Sequence, residues 1–589
     1  MRRTEYPRPN FKREKWKCLN GVWKFYYGNK KTEIEVPFVC QSQLSGIGER
    51  ITEDFVVYEN EFTVPKEWKG EEIRINFGAV DYRCCVYINN QCVGTHIGGQ
   101  TPFSFQITRY LNWNRETIRV EVEDPLTDET IPRGKQFWED TSKFIWYTPS
   151  TGIWQSVWLE PLSKTHFEWI YFTPDIDEGT VKIEYKLSEA SKLPCRVHVK
   201  ISLEQNEVFH GNMLCDERQN SLTVDVFQNK ALNGAFHFVG KYWSPENPIL
   251  YDVVMKADDG DTGNAADEVA SYFGMRKIHI ENGKIYLNNQ PYYQKLLLDQ
   301  GYWKESLITA PTDADYKNDI QKAKAMGFNG CRKHEKVEDP RFLYWADKLG
   351  FLVWEAMASF WVYTPQAAET FMKEWMEVIN RDYNHPSIIV WGMLNESWGT
   401  PQIYDNSQQQ DFSKSLYYMV KSIDSTRLVI SNDGWEMTVG DICAIHSYKH
   451  GEKEDKRQHE VFAQSLKSLK TLANIVDKNL FAKGSEYKNQ PVVLTECGGI
   501  SLKEKAADSQ EEQNWGYTTI KKEEFIEEYD RLTAAIFDSE ILSGFCYTQF
   551  TDVEQETNGL LTDTHEYKFK PEEIKPVSYT HLTLPTIRL

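Results

Sequence analysis

Hydrophobic and polar positions alternate along the first quarter of the chain. Ile73, Ile75 and Phe77 interleave with Arg74 and Asn76, and Ile118, Val120 and Val122 with Arg119 and Glu121. A period of two is the mark of a half-buried strand. Asn89-Asn90 and Gly98-Gly99 punctuate these runs as turns. No long pattern of period 3.6 interrupts them, so residues 1–162 read as an all-β, jelly-roll type sandwich. The alternation continues in residues 163–277, where Ile183, Tyr185 and Leu187 oppose Lys182, Glu184 and Lys186, and Val197, Val199, Ile201 and Leu203 repeat it. A segment of about 110 residues with this rhythm suits an immunoglobulin-like sandwich.

From residue 278 the rhythm changes. Thr312 and Asp315 form a capping box ahead of a helix that Gly327 ends, and Asp339 with Pro340 opens a second helix that stops at Gly350. Between such helices lie eight short apolar runs: "PYYQKLL", "FNGCR", "FLVWEAM", "SIIVWGML", "RLVIS", "ICAIHS", "PVVLT" and "GFCYTQF". Eight covered strands over residues 278–577 predict a (β/α)8 barrel. A doubly wound open sheet is the alternative, but no glycine-rich phosphate fingerprint follows any strand. Residues 578–589, "SYTHLTLPTIRL", break the charged pattern before them and read as an appended, non-native tail.

Composition narrows the class of function. A chain of 589 residues needs about three cores. A net charge of −20 argues against nucleic acid, whose phosphates need a basic surface. No apolar run approaches the roughly 20 residues that cross a bilayer, so no membrane partner is expected. The opening "MRRTEYPRPNF" lacks the apolar core of a signal peptide. Eleven cysteines without CxxC spacing fit a reducing compartment, so a cytoplasmic location is expected. The 19 Trp, 31 Tyr and 30 Phe serve packing and also suit stacking on sugar faces.

A barrel carries its chemistry where strands run into the loops that follow them. That rule marks Glu355 after strand three, Glu396 in "VWGMLNESWG" after strand four, and Glu496 in "VVLTECGG" after strand seven. The last two share one design, a buried run that stops at a polar residue and a carboxylate. Retaining glycosidases need two carboxyls roughly 5–5.5 Å apart, one protonated for the leaving oxygen and one ionised for the anomeric carbon. A lone acid at a strand end is as readily structural. The pair with Asn395 is more specific.

With these residues in place the chain resembles glycoside hydrolase family 2, the group of β-galactosidases, β-glucuronidases and β-mannosidases. The likeness runs from Leu19 to about Pro576 through "LNGVWKF", "INFGAVDYRCCVYINNQCVGTHIGGQTPFSFQIT", "FGMRKIHIENGKIYLNNQPYY" and "RDYNHPSIIVWGMLNES". It implies a sugar-binding sandwich, an immunoglobulin-like sandwich and a catalytic barrel acting on β-glycosides, in assemblies that are often dimers or tetramers. Glu396 is similar to the family's acid/base, Glu496 to its nucleophile, and Asn395 to the amide that binds the sugar 2-hydroxyl. Arg332 in "NGCRKH" resembles the arginine beside the nucleophile, with a structural ion pair as the competing role. Tyr448 in "AIHSY" is similar to a donor to the nucleophile, with rim packing as the alternative. Asp299, His334, Glu355, Trp435, His446 and Gln549 are expected around the glycone, the histidines being core residues otherwise. Those histidines form no HxxxH or Cys-His set, so no metal is indicated, and no cofactor is expected.

The sugar is read from departures. β-Glucuronidases of the family carry an Asn-x-Lys pair that grips the uronate, whereas "QETNGLLT" places Glu556 and Asn558 there. A carboxylate at that place repels a uronic acid, so a neutral glycone, first a β-galactoside, is expected, with an arabinoside or a uronide as alternatives. "LLLDQGYW" also departs from the common strand-one segment, so Asp299 is expected to make an unusual hydroxyl contact. A non-hydrolytic carbohydrate-binding protein on the same scaffold is the competing class.

Overall fold

A computed structural model describes residues 3–139, 141–227, 241–260, 264–451, 454–502 and 517–579. From residue 580 onward the expected tail lies outside the described residues. The alternation in the first segment becomes two facing antiparallel sheets. One has six strands in the order Lys30–Val36, Gly21–Tyr27, Phe55–Phe62, Glu116–Glu123, Arg83–Ile88 and Gln91–Ile97. The other has four, Lys17–Cys18, Val157–Leu162, Glu72–Phe77 and Phe103–Gln106. Their inward positions, among them Phe25, Tyr58, Ile75, Val86 and Val120, form one core.

In the second segment three strands (Phe167–Asp175, Thr180–Leu187, Gln219–Asp225) face four (Asn206–Cys215, Cys195–Leu203, Tyr251–Asp258, Ala265–Phe273). Among the described residues this is an immunoglobulin-like sandwich in which the fourth strand, Asn206–Cys215, pairs with the third rather than joining the first sheet as it does in the constant type.

The remainder is a parallel barrel. Its strands are β1 (Gln294–Asp299), β2 (Gly330–Lys333), β3 (Leu352–Ala356), β4 (Ile388–Gly392), β5 (Leu428–Ile430), β6 (Cys443–His446), β7 (Val492–Gly498) and β8 (Leu542–Thr548). They bond in the order β5-β4-β3-β2-β1-β8-β7-β6, so the sheet closes except for one seam between β5 and β6. Strand parity decides what each side chain meets. Leu296, Leu298, Trp354, Val390, Ile430 and Ala444 fill the interior. Leu297, Cys331, Val353, Trp391, Val429 and Leu494 pack outward against the helices.

Helix ends follow the capping chemistry. In α1 (Asp313–Ala325) Asp315 Oδ2 accepts the Thr312 backbone N–H at 2.8 Å. In α2 (Pro340–Leu349) Asp339 Oδ1 accepts from the Arg341 N–H at 2.8 Å, and Gly350 closes the helix at φ 69°. The third, α3 (Pro365–Asp382), starts at a proline behind Thr364, whose hydroxyl accepts the Ala367 N–H at 3.0 Å. None of the described helices is long and apolar enough to cross a membrane.

The sandwiches are tied to the barrel by buried polar contacts. Arg13 forks onto Asp267 at 2.9 and 2.8 Å and reaches Glu160 at 3.3 Å, joining the two sandwiches. Tyr272 donates to Asp347 on α2 at 2.8 Å. The loop after residue 130 of the first sandwich matters most for function, because the N–H groups of Arg133 and Gly134 both donate to the Ser359 carbonyl at 2.9 Å. Gly134 sits at φ +57°, and a Cβ there would lie 2.3 Å from the Glu335 carbonyl oxygen. Only glycine allows so close an approach, and it brings Lys135 over the barrel mouth.

Candidate active site

Strand β4 runs apolar to Gly392 and continues to Asn395 and Glu396, where the chain turns through two consecutive left-handed residues, Glu396 at φ 50° and Ser397 at φ 63°. Each costs of the order of 1 kcal/mol or more for a residue with a Cβ. The residues that follow β5 hold the turn in place. The Ser397 N–H donates to Asn432 Oδ1 at 3.0 Å, its hydroxyl donates to Glu436 at 2.6 Å, and the Glu396 N–H donates to the Asp433 carbonyl at 2.9 Å. Glu396 is thereby fixed with its carboxylate facing the centre of the barrel.

Arg332, inward on β2, organises the floor. Its Nε meets Asp433 at 2.7 Å, Nη1 meets Glu496 Oε1 at 2.9 Å, and Nη2 donates to Asn395 Oδ1 at 2.6 Å. With Oδ1 so engaged, the Asn395 amide N–H2 is left to serve as a donor. Nη1 also donates to His334 Nδ1 at 2.9 Å. The other oxygen of Glu496 accepts from the Tyr448 hydroxyl at 2.5 Å. His446, at the end of β6, stands between the acids. Its Nδ1 is 2.8 Å from Glu396 Oε1 and 3.6 Å from Glu496 Oε1, and its Nε2 is 3.2 Å from Asp433 Oδ1. One ligand atom from each of Glu396, His446 and Glu496 lies within 4.8 Å of the others.

Charge sets the proton affinities. Burial disfavours the His446 cation, but Glu496 and Asp433 outweigh it and push its pKa up to about 10. Burial raises Asp433, yet Arg332 and His446 hold it far below the usual carboxylate range. Burial raises Glu396 too, but its hydrogen bond to His446, the His446 charge and the Lys135 charge bring it below its ordinary value. Glu496 lies above its ordinary value, because burial and the nearby Glu396 outweigh His446 and Arg332. His334 is kept neutral by burial and the adjoining Arg332.

A pH dependence of stability follows from His446. Its folded pKa of about 10 lies above the ordinary value of 6.5, so its contribution is complete below pH 6.5 and is lost as pH rises through 10. We expect the urea-unfolding advantage of the wild type over His446→Gln to shrink between pH 7 and 10. A gap that stays constant would show a neutral folded imidazole.

The narrow, partly open cavity above these groups is lined by Asn395, Glu396, Glu496, His334 and Tyr448 from the barrel, and by Glu335, Trp361, Trp398, Tyr517, Ile145 and Lys135. Trp398 Nε1 donates to Glu396 Oε2 at 3.3 Å, and its ring stands edge-on to Trp361 at 4.6 Å. Trp361 belongs to a hydrophobic cluster with Phe137, Ile145 and Trp146 of the first sandwich, so the roof is built by two domains.

Four residues expected around the glycone lie elsewhere. Asp299 shares the outward parity of Leu297 and pairs with Lys333 at 2.7 Å behind the strand. Glu355 shares the outward parity of Val353. It is wholly buried, with the cation of Arg381 on α3 at 3.8 Å. Gln549 is buried between Gln300 and Asn558, at 2.9 Å from each. Trp435 packs edge-on to His446 at 5.9 Å, supporting that ring rather than lining the cavity. Glu556 is also withdrawn from the cavity, because the hydroxyls of Tyr147 and Tyr517 bind its two oxygens, the latter at 2.9 Å. We expect Glu355→Gln to change kcat/KM by less than about threefold, in line with a residue that touches no substrate. A loss beyond 100-fold would return Glu355 to the site.

Asp433 joins the site beyond the acids expected there, and its signal is in the sequence, since "LVISND" ends in a carboxylate just as the runs of β4 and β7 do. Lys135, Trp361, Trp398 and Tyr517 sit in irregular loops with no periodic signal, and Lys135 comes from another domain.

Comparison with known proteins gives the same architecture. The family model "Glycosyl hydrolases family 2, TIM barrel domain" matches residues 278–575, the sugar binding domain of that family matches 48–160, and a third model, "Glycosyl hydrolases family 2", matches 165–276. A putative beta-glucuronidase of Formosa agariphila is 26% identical over 386 residues, covering 63% of this chain and 43% of that protein. A beta-galactosidase of Thermoanaerobacter pseudethanolicus is 26% identical over 379 residues, covering 63% and 47%. The chain thus spans about half the length of these curated relatives. Among solved structures, a beta-D-glucuronidase of Dictyoglomus thermophilum superposes with a TM-score of 0.78 at 20% identity, covering 98% of this chain and 99% of that one. A beta-galacturonidase of Eisenbergiella tayi bound to galacturonate gives 0.75 at 20% identity, with 98% and 99% covered. Since the barrel model alone takes in half of the sequence and the other two precede it in order, this chain belongs to glycoside hydrolase family 2.

Proposed function

We propose that the protein is a retaining, exo-acting β-glycosidase that works by double displacement, with Glu496 as nucleophile and Glu396 as acid/base. The observation that carries this reading is the approach of a Glu396 oxygen to within 4.8 Å of a Glu496 oxygen in one cavity. That separation suits direct attack on the anomeric carbon rather than an intervening water, which requires roughly 6.5–9.5 Å.

In the unliganded site Glu396 lies below its ordinary value and Glu496 above, the reverse of these roles, so the assignment rests on what holds each acid and on what a bound sugar displaces. Glu496 is held from both sides, by Arg332 at 2.9 Å and by Tyr448 at 2.5 Å, which fixes a nucleophile in line and disperses its charge. Glu396 has a single close charged partner, His446. A sugar seated between the acids parts Glu396 from Nδ1 of His446 and removes the bond that favours its ionised form. Glu396 then holds the proton for the leaving oxygen, and later takes one from the water that releases the sugar. Asn395 offers its amide N–H2 to a sugar hydroxyl.

Galactosides and uronides are both carried by the names of related proteins, and the ground for a neutral glycone weakens once Glu556 is bound by Tyr147 and Tyr517. The test is a panel of nitrophenyl β-glycosides (galactoside, glucuronide, galacturonide, arabinoside, mannoside, glucoside) with the product anomer read by NMR. Turnover with initial release of the β-anomer is expected. Initial α-anomer, or saturable binding without turnover over the whole panel, sinks the reading.

A further inference from the structure

Two of the cations at this site are matched by carboxylates. Arg332 is paired with Asp433 and Glu496, and His446 with Asp433 and Glu396. Lys135 is different. It is 6% exposed and lines the same cavity. Among the described residues no oxygen takes a hydrogen bond or ion pair from its ammonium, which stands 5.6 Å from the centre of the Tyr147 ring and acts on Glu335 and Glu396 only through its charge. A buried charge is costly unless an opposite one answers it.

Its mount is rigid. The preceding N–H groups of Arg133 and Gly134 are bound to Ser359, the Lys135 carbonyl accepts from the Tyr147 N–H at 2.7 Å, and Gly134 packs so closely on Glu335 that a Cβ there would lie 2.3 Å from its carbonyl oxygen. A donor held this way loses little freedom when a ligand arrives. With Glu396 protonated and Glu496 ionised, three cations (Arg332, His446, Lys135) face two fixed anions (Asp433, Glu496). The remaining acid on the lining, Glu335, is pushed up by burial to about 7 and is engaged by the Ser359 N–H and hydroxyl, so it answers the Lys135 charge only in part.

We propose that Lys135, delivered by the first sandwich, binds a carboxylate on the glycone, so that the preferred substrate is a β-linked hexuronide rather than a neutral galactoside. The proposal rests on the glycosidase reading above. It also gives the substrate a part in its own activation. The Lys135 charge favours the ionised form of Glu396, and a ligand carboxylate that neutralises it moves Glu396 toward holding the proton it must donate.

The test compares wild type, Lys135→Met and Lys135→Arg on nitrophenyl β-D-glucuronide, β-D-galacturonide and β-D-galactoside. One of the two uronides is expected to exceed the galactoside in wild-type kcat/KM. In Lys135→Met the uronide-to-galactoside ratio is expected to fall roughly 10- to 100-fold, the range for one hydrogen bond to a charged group, chiefly through KM, with partial recovery in Lys135→Arg. An unchanged ratio, or a wild type that prefers the galactoside, overturns the proposal and leaves the glycosidase reading standing. Should Lys135→Met not fold, calorimetry with Glu496→Gln protein decides: D-glucuronate or D-galacturonate binding more tightly than D-galactose supports the proposal, and the reverse order overturns it. Preferential uronate binding in a wild type that hydrolyses nothing supports the role of Lys135 and rejects the glycosidase reading.

Discussion

Glu496→Gln is expected to lower kcat/KM for aryl β-glycosides by about 10⁴-fold or more, on the scale seen when a covalent nucleophile is removed. At about 1.4 kcal/mol per decade this is a barrier increase of at least about 5.5 kcal/mol. The amide keeps the size of the carboxylate and its contact with Arg332, so circular dichroism and the unfolding transition should stay close to wild type. The mechanism also predicts which chemistry returns. In Glu496→Ala, azide fills the space left by the side chain and attacks the anomeric carbon directly, so the expected product is an α-glycosyl azide. In Glu396→Ala the covalent intermediate still forms from a substrate with a good leaving group, and azide then yields the β-product. Activity within tenfold of wild type in Glu496→Gln, or azide products of the opposite configurations, would remove Glu496 from the nucleophile's role.

The second large effect is on stability. Arg332 is buried and binds Asp433, Glu496, Asn395 and His334 at once. Arg332→Met leaves Asp433 and Glu496 facing each other and His446 without the guanidinium between them. Breaking a buried pair by removing one partner costs about 3–5 kcal/mol. We expect a loss of that size in the barrel's urea-unfolding transition at pH 7, together with an activity loss of at least 100-fold. Lowering the pH should recover part of the stability, since protonating the stranded carboxylates relieves their repulsion. A variant as stable as wild type at pH 7 would show that the network contributes geometry alone.

Both effects hang on strand parity, which also explains what could be read from the chain. Eight apolar runs and the helix caps between them were plain in the sequence, because burial on both faces leaves continuous hydrophobic strands and because Thr312, Asp339 and Gly350 carry their signals in single residues. Glu396 and Glu496 stood out as carboxylates that end such runs. Asp299 and Glu355 obeyed the same rule and yet face the helices. Their parity was available from Leu297 and Val353, but a position near a strand end says nothing by itself about which way the side chain points. Asp433 carries the same signal, an acid behind Asn432 at the end of an apolar run, and the strand-end rule applied to β5 marks it as well.

Periodicity, capping residues and ordered motifs therefore determined the three-domain plan, the barrel and its pair of acids, because each of these is written in contacts between residues near one another in the chain. Tertiary structure alone decided which acids share a cavity, that Glu556 is taken up by Tyr147 and Tyr517, and that a lysine more than 250 residues before Glu396 stands above it. The reason is physical. The charge at a site is summed over groups that meet in space, and the loop that carries Lys135 reaches the barrel through backbone hydrogen bonds and a missing Cβ, neither of which leaves a pattern in sequence.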